Sequence, residues 1–244
     1  MKILLAPSEK KAEGGIDTFK LNTLLFNKLH STRLSLVHSY SKIIDTNDFK
    51  ILSVMFGLKK EHEICNHLED LMHKPTLKAV ERYTGIAFDY LKYNELDIES
   101  KSYLDTNLLM FSNLFGVLRA NDKIPSYRLK QAMHIDNINP AKVYKPLLQA
   151  QLDNYLEGND ILDLRAVFYN KYYTPSLPYT TLKFLKNGKV VSHWAKAYRG
   201  IVLREIALKK INSLDAFIRL PIRGLSLYEI QTKKLHTEII YEIE

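Results

Sequence analysis

The sequence predicts an α/β protein (α+β-like), in which a mixed β-sheet is surrounded by helices and followed by C-terminal hairpins. Three observations predict it. Short Val-Ile-Leu runs, typical of strands buried on both faces, occur at Lys2–Ala6 (KILLA) and Ile161–Phe168 (ILDLRAVF). Long stretches between them carry apolar residues at three- and four-residue spacing, the period of amphipathic helices. Asn187-Gly188 separates two strand-like runs, Thr181–Leu185 and Lys189–Trp194, and such a dipeptide favours the tight turn of a hairpin. That hairpin argues against a purely parallel sheet.

The elements follow in order. The first strand stops at Pro7, which cannot donate to a sheet. Helical spacing then runs through Phe19–His30, Leu34–Ile44, His62–Met72 and Gly85–Tyr93, and returns at Val143–Leu156. After the second buried strand and the hairpin, Ile201–Ile211 is apolar around most of its circumference, which predicts a deeply buried helix. Leu225–Ile230 and Thr237–Ile243 alternate as strands do. There is no internal repeat, low-complexity tract or linker, so residues 1–244 read as a single domain.

The 244 residues are 46% hydrophobic and 25% charged, enough to bury a core without covalent staples. One cysteine, Cys65, excludes an internal disulfide and fits a reducing compartment. Its apolar helical setting predicts a packed, unreactive thiol. No apolar stretch nears the ~20 residues of a membrane helix. The N-terminal run is too short for a signal peptide, and a cytoplasmic monomer without membrane contact is expected.

The net charge of +8 is unevenly placed. Between Lys183 and Lys234 stand 12 Lys+Arg and 3 Asp+Glu, leaving the rest of the chain at −1. A solvated basic face and a polyanion-binding face both account for this.

Three segments could carry chemistry. Pro7-Ser8-Glu9-Lys10-Lys11 follows the first strand, and ligands in open α/β sheets sit at the carboxyl ends of strands. The plain alternative is a polar surface loop. The segment Phe111–Arg128 (FSNLFGVLRANDKIPSYR) holds Ser112, Gly116, Arg119, Asp122, Tyr127 and Arg128 around a charged turn. Its arginines could grip a phosphate or carboxylate, or simply clamp Asp122. In Ser192–Arg204 (SHWAKAYRGIVLR), Lys196, Arg199 and Gly200 are expected where a strand gives way to a helix near Gly200, with Arg204 one turn on. Free N–H groups at a helix start favour anions, and the two cations add to that; pairing with distant acids is the alternative. Together Lys196, Arg199, Arg119 and Arg128 are expected to form one cationic cleft.

His62, Cys65, Glu69 and His73 fall roughly on one helical face, but over three turns they diverge too far to close on one ion, so no metal is expected. There is no P-loop, GxGxxG or GxSxG, and no cofactor is expected.

Four segments in order, KILLAPSEKK, Tyr83-Thr84-Gly85, FSNLFGVLRANDKIPSYRL and WAKAYRG, make the chain resemble the YaaA family over essentially its whole length. The resemblance implies one compact domain with a sheet wrapped by helices. It also implies a role in hydrogen peroxide stress that limits free intracellular iron, and DNA binding with a helix-hairpin-helix-like element. Thr84-Gly85-Ile86 and Phe115-Gly116-Val117 are both candidate glycine turns for that element. Residue by residue, it carries over to Ser8 and one of Lys10 and Lys11, to Tyr83, Thr84 and Gly85, to Ser112, Gly116, Arg119, Tyr127 and Arg128, and to Lys196, Arg199 and Gly200. The chain departs from the family where a serine and a glutamate often precede a tyrosine. Here Asp163-Leu164-Arg165-Ala166-Val167-Phe168-Tyr169 keeps only Tyr169.

Two functions follow. One is sequence-independent binding of the phosphate backbone of double-stranded or branched DNA, in peroxide-stress defence. The other is an enzyme acting on a small anionic or nucleotide-like molecule in a basic cleft. Cations spread over a face favour the first, and convergence in a pocket favours the second.

Overall fold

The computed structural model describes residues 1–244, with every side chain except those of Ser192 and His193. Strand β1 (Lys2–Leu5) leads through an irregular loop to the short β2 (Asp17–Thr18) and two single turns of 3-10 helix. Helices α1 (His30–Asp45), α2 (Phe49–Phe56) and α3 (Glu61–Cys65) follow. The Asp48 side chain caps α2 by accepting from the amides of Lys50 and Ile51. Next come β3 (Pro75–Lys78), α4 (Ala79–Arg82), α5 (Ile86–Leu91) and α6 (Ile98–Asn107). Strands β4 (Leu108–Ser112), β5 (Gly116–Arg119) and β6 (Lys123–Pro125) precede α7 (Pro140–Leu156). Asn139 caps α7 with Pro140 in its first turn, where a missing N–H costs nothing. The chain ends with β7 (Ile161–Leu164), β8 (Tyr179–Lys186), β9 (Lys189–Val190), α8 (Ser192–Lys209), α9 (Leu214–Ile218), β10 (Leu225–Lys233) and β11 (His236–Ile243).

The main sheet runs β10-β11-β8-β7-β1-β4-β5, with β9 beside β8. From β11 to β4 every pairing is parallel, while β10, β5 and β9 join antiparallel, so the sheet is mixed. β4 and β7 are buried along their whole length, as expected of strands covered on both faces. Beside them, β2, β3 and β6 form a small second sheet. One continuous core joins the layers.

Two buried arginines tie loops to this core. Arg33 donates to the carbonyls of Phe115 and Val117, at 2.9 and 2.8 Å. Arg82 donates to Gly14, Pro75 and Ile124 at 2.9–3.1 Å, and also to Ala12. Each sets its charge against several backbone carbonyls drawn from separate segments of the chain.

Several sequence expectations are corrected. Phe19–His30 forms two separate 3-10 turns, because Phe26 takes a left-handed backbone (φ 62°) that breaks any helix. The helix at His62–Met72 ends at Cys65, so His62, Cys65, Glu69 and His73 share no helical face. Cys65 is exposed and not packed. The strand from Ile161 stops at Leu164, and Val167–Lys171 forms a 3-10 turn. The strand after Gly188 ends at Val190, so α8 starts about two turns before Gly200. Among the described residues, no helix is long and apolar enough to cross a membrane.

Candidate anion-binding site

In the sheet, β1 leads across to β4 on one side, whereas β7 leads on to β8 on the other. The loops after β1 and β7 therefore part at the carboxyl edge, the place where open α/β sheets hold ligands. A cavity of about 590 Å³ opens there. Its floor is formed by Leu5, Ala6 and Leu164 at the strand ends, with Asn113 just past β4. The loop Pro7–Lys11 forms one wall, Thr84–Asp89 a second, and Lys196 with Arg199 the third.

The loop after β1 is shaped by its own hydrogen bonds. The Ser8 hydroxyl donates to the Lys10 carbonyl at 2.5 Å, and that carbonyl also accepts from the Thr84 amide at 3.2 Å. Lys11 forms an isolated antiparallel bridge with Tyr83. Gly85 holds φ at 105°, which a side chain would strain, and starts α5 facing Ser8. Backbone contacts thus fix Ser8, Lys10, Lys11, Thr84 and Gly85 as one unit.

Helix α8 crosses α5 at Gly200. A Cβ there would come 2.9 Å from the Ala87 carbonyl carbon and 3.0 Å from Tyr90 Cβ. This close approach turns the preceding turn of α8, with Lys196 and Arg199, toward the cavity. Lys196 is exposed at the rim, and Arg199 is half-buried. Loss of water pulls the Arg199 pKa down, partly offset by the Asp163 charge. Asp163 itself is held by Arg165 in a buried bidentate pair, with oxygens 2.8 and 2.6 Å from Nε and Nη2. Among the described residues Arg199 makes no hydrogen bond or ion pair of its own. A half-buried guanidinium left so is ready for an anionic oxygen pair.

Beneath Lys11 lies a hydroxyl chain. The Tyr127 hydroxyl is 2.9 Å from that of Tyr83 and 2.8 Å from that of Ser112, and Ser112 Oγ accepts from the amides of Leu114 and Phe115. Burial pushes Tyr83 up to about 12 and raises Tyr127 well above the usual tyrosine range, so both hydroxyls are neutral. Tyr169 donates to Asn113 Oδ1 at 3.1 Å across the floor.

The remaining residues singled out in the sequence serve elsewhere. Arg119 pairs with Asp122 at 2.7 Å and donates to the Thr23 carbonyl, away from the cavity. Asp122 also accepts from the amides of Leu25 and Arg119. Arg128 donates to the Phe56 carbonyl at 2.9 Å and meets Glu9 at 3.5 Å, bracing the β1 loop from behind. Arg204 donates to the carbonyls of Leu91 and Lys92, closing the C-terminal end of α5. Gly116 (φ 75°) lies against Tyr144, where a Cβ would come 2.9 Å from the ring. The single cleft of four cations is thus corrected: Lys196 and Arg199 join Lys10 and Lys11, while Arg119 and Arg128 are taken up by nearby acids and carbonyls. The helix-start argument for Lys196 and Arg199 also falls, since both lie within α8. Gly116 joins two strands, whereas Gly85 lies between α4 and α5.

The sequence reading missed Asn113, Asp89 and Gln131, which also line the cavity. Only Asn113 had a usable signal, its place at the end of a continuous apolar run. Among the described residues there is no group of three or more His, Cys, Asp or Glu side chains able to hold a metal.

A mixed sheet with a cation-lined cavity at its parallel carboxyl edge defines an α/β protein with a candidate ligand site where such sheets hold their ligands. The chain belongs to the family described as peroxide stress protein YaaA, which it matches over residues 1–231. An uncharacterised protein of Campylobacter jejuni is 44% identical over 100% of this chain and 99% of its own length. UPF0246 proteins of Corynebacterium efficiens and Fusobacterium nucleatum are 31% and 25% identical, over 85% and 93% of this chain and 85% and 93% of their own lengths.

Proposed function

We propose that the chain serves oxidative-stress defence by binding, and acting on, a small anionic or nucleotide-like molecule in the cavity beside β1. The observation that carries this reading is convergence. Lys10, Lys11, Lys196 and Arg199 come from two distant parts of the chain to one cavity of about 590 Å³, with the hydroxyl-bearing Ser8 and Thr84 between them. A surface that only followed a DNA backbone would have no use for a concave site of this kind, whereas a mononucleotide-sized ligand fits one.

Sequence-independent binding to duplex or branched DNA is the second reading. It is favoured by the charge segregation, since Lys189, Lys209, Arg219, Arg223 and Lys233 of the basic C-terminal quarter are all exposed. Calorimetric titration with phosphate, pyrophosphate and adenosine monophosphate, alongside a 20-base-pair duplex at rising salt, separates the two. The first reading expects saturable small-anion binding that is lost in a Lys196→Ala/Arg199→Ala variant. Duplex binding alone, falling steeply with salt, would support the second.

A further inference from the structure

Lys11 differs from the other cations of the cavity. Its ammonium lies 3.9 Å from the centroid of the Tyr127 ring and 5.1 Å from that of Tyr83. Among the described residues, its only hydrogen bonds are long ones, to the carbonyls of Ser8 and Glu9 at 3.3 Å. Two carboxylates act on its charge, and both are engaged elsewhere: Glu9 by Arg128 and the Gln131 amide, and Glu13 by the Ser126 hydroxyl. Loss of water on burial and the nearby Arg128 guanidinium both disfavour the charge on this amine, against the attraction of the two ring faces for it.

We propose that Lys11 is a nucleophilic amine that forms an imine with an aldehyde or ketone bearing a phosphate or carboxylate group, which Lys196 and Arg199 receive. This rests on the anion-binding reading of the cavity. The ammonium first loses a proton to water. The nitrogen lone pair then bonds to the carbonyl carbon, the carbonyl π pair moves to oxygen, and a proton passes from nitrogen to that oxygen, giving a carbinolamine. The hydroxyl then leaves as water with the last nitrogen proton, and the nitrogen lone pair closes the carbon–nitrogen double bond. No oxidant or reductant is needed. Burial brings the Lys11 pKa down to about 7, so much of the amine is in its free form near neutrality.

Reductive trapping on the full chain tests this with two probes: propanal, which is uncharged, and pyridoxal 5′-phosphate, an anionic aldehyde. Each is added at pH 7.5 with cyanoborohydride, and the modified lysines are mapped by peptide mass spectrometry. With propanal, Lys11 is expected to label at least tenfold faster than the exposed Lys10. With pyridoxal 5′-phosphate, Lys11 is again the main site, inorganic phosphate competes, and Arg199→Ala slows this labelling about tenfold while leaving propanal labelling unchanged. Lys11→Arg, checked for a native melting transition, should remove the fast site for both probes. Propanal labelling of Lys10 with Lys11 unmodified would overturn the nucleophile, whatever the cavity binds. Fast propanal labelling of Lys11 with no effect of phosphate or of Arg199→Ala would overturn the anionic substrate class and the anion reading beneath it.

Discussion

Gly200 of α8 lies so close to Ala87 of α5 that a methyl group in place of its hydrogen would come 2.9 Å from the Ala87 carbonyl carbon. The neighbour is backbone and cannot rotate away. Gly200→Ala should therefore destabilise the fold by ~1–3 kcal/mol, the usual cost of overpacking, and should displace α8 with Lys196 and Arg199. Urea denaturation checks the first effect, and titration with pyrophosphate checks the second. A variant of unchanged stability and affinity would show that the two helices have room to spare.

Lys196 and Arg199 should separate binding from stability. Lys196 is exposed, so Lys196→Ala should change stability by no more than ~0.5 kcal/mol. Arg199 is half-buried with no hydrogen bond or ion pair among the described residues, so Arg199→Ala should leave the melting temperature unchanged or raise it. Each should weaken small-anion binding about tenfold or more, as expected for loss of a charged hydrogen bond. Calorimetry and thermal melts of the same preparations provide the comparison.

Lys11 should give the protein a distinct alkaline profile. Its folded pKa of about 7 is below the ordinary lysine value of 10.5, so between these limits the unfolded chain binds more protons than the folded one. Stability should rise with pH across that window at up to ~1.4 kcal/mol per pH unit and gain nothing from this group below it. Lys11→Met should flatten the rise. His67 acts in the acid range by the same sign. Burial, with Lys74 nearby, lowers it to about 4, so its contribution to stability is lost as pH falls from 6.5 toward 4. Urea midpoints measured from pH 4 to pH 10 test both.

Cys65 is exposed, so a thiol reagent such as Ellman's should modify one equivalent in the native protein without denaturant. Cys65→Ser should then change stability by less than ~0.5 kcal/mol. A thiol that reacts only in urea would place it in the core.

What could be read from the sequence, and what could not, divides along physical lines. The central strand at Lys2 and the hairpin at Asn187-Gly188 were legible because doubly covered strands need continuous apolar residues and tight turns need residues tolerant of positive φ; both residues have it, at 53° and 71°. β11 was legible as a strand, but its burial does not alternate: Ile239, Ile240 and Tyr241 are buried in succession, because the strand lies inside the sheet between β10 and β8. Helical spacing misled at Phe19–His30, where apolar residues enter the core from two separate turns and a left-handed Phe26 resets the phase. The start of α8 was misplaced because the second strand of the hairpin was carried on to Trp194, while Gly200 reads as a boundary although it is a packing point. In the candidate site, the segment after β1 was visible by its place at the carboxyl end of a strand, and the one around Lys196 as charge with few local acids. The clamp of Arg119 on Asp122, three residues on, was one of the two readings its spacing allowed, whereas Arg128 looked equivalent to the cavity cations because the partners that engage it, Phe56 and Glu9, are remote in sequence. No spacing rule reaches that far.

The most direct measurement of the central claim is a competition titration. A fluorescent adenosine nucleotide is bound to the full chain and displaced by pyrophosphate, or by a 20-base-pair duplex, for the wild-type protein and for Lys196→Ala/Arg199→Ala. The account predicts saturable nucleotide binding that pyrophosphate displaces and the double variant lacks, with its melting temperature preserved. Nucleotide binding of equal strength in the folded double variant, or none in the wild-type protein alongside tight duplex binding, would contradict it.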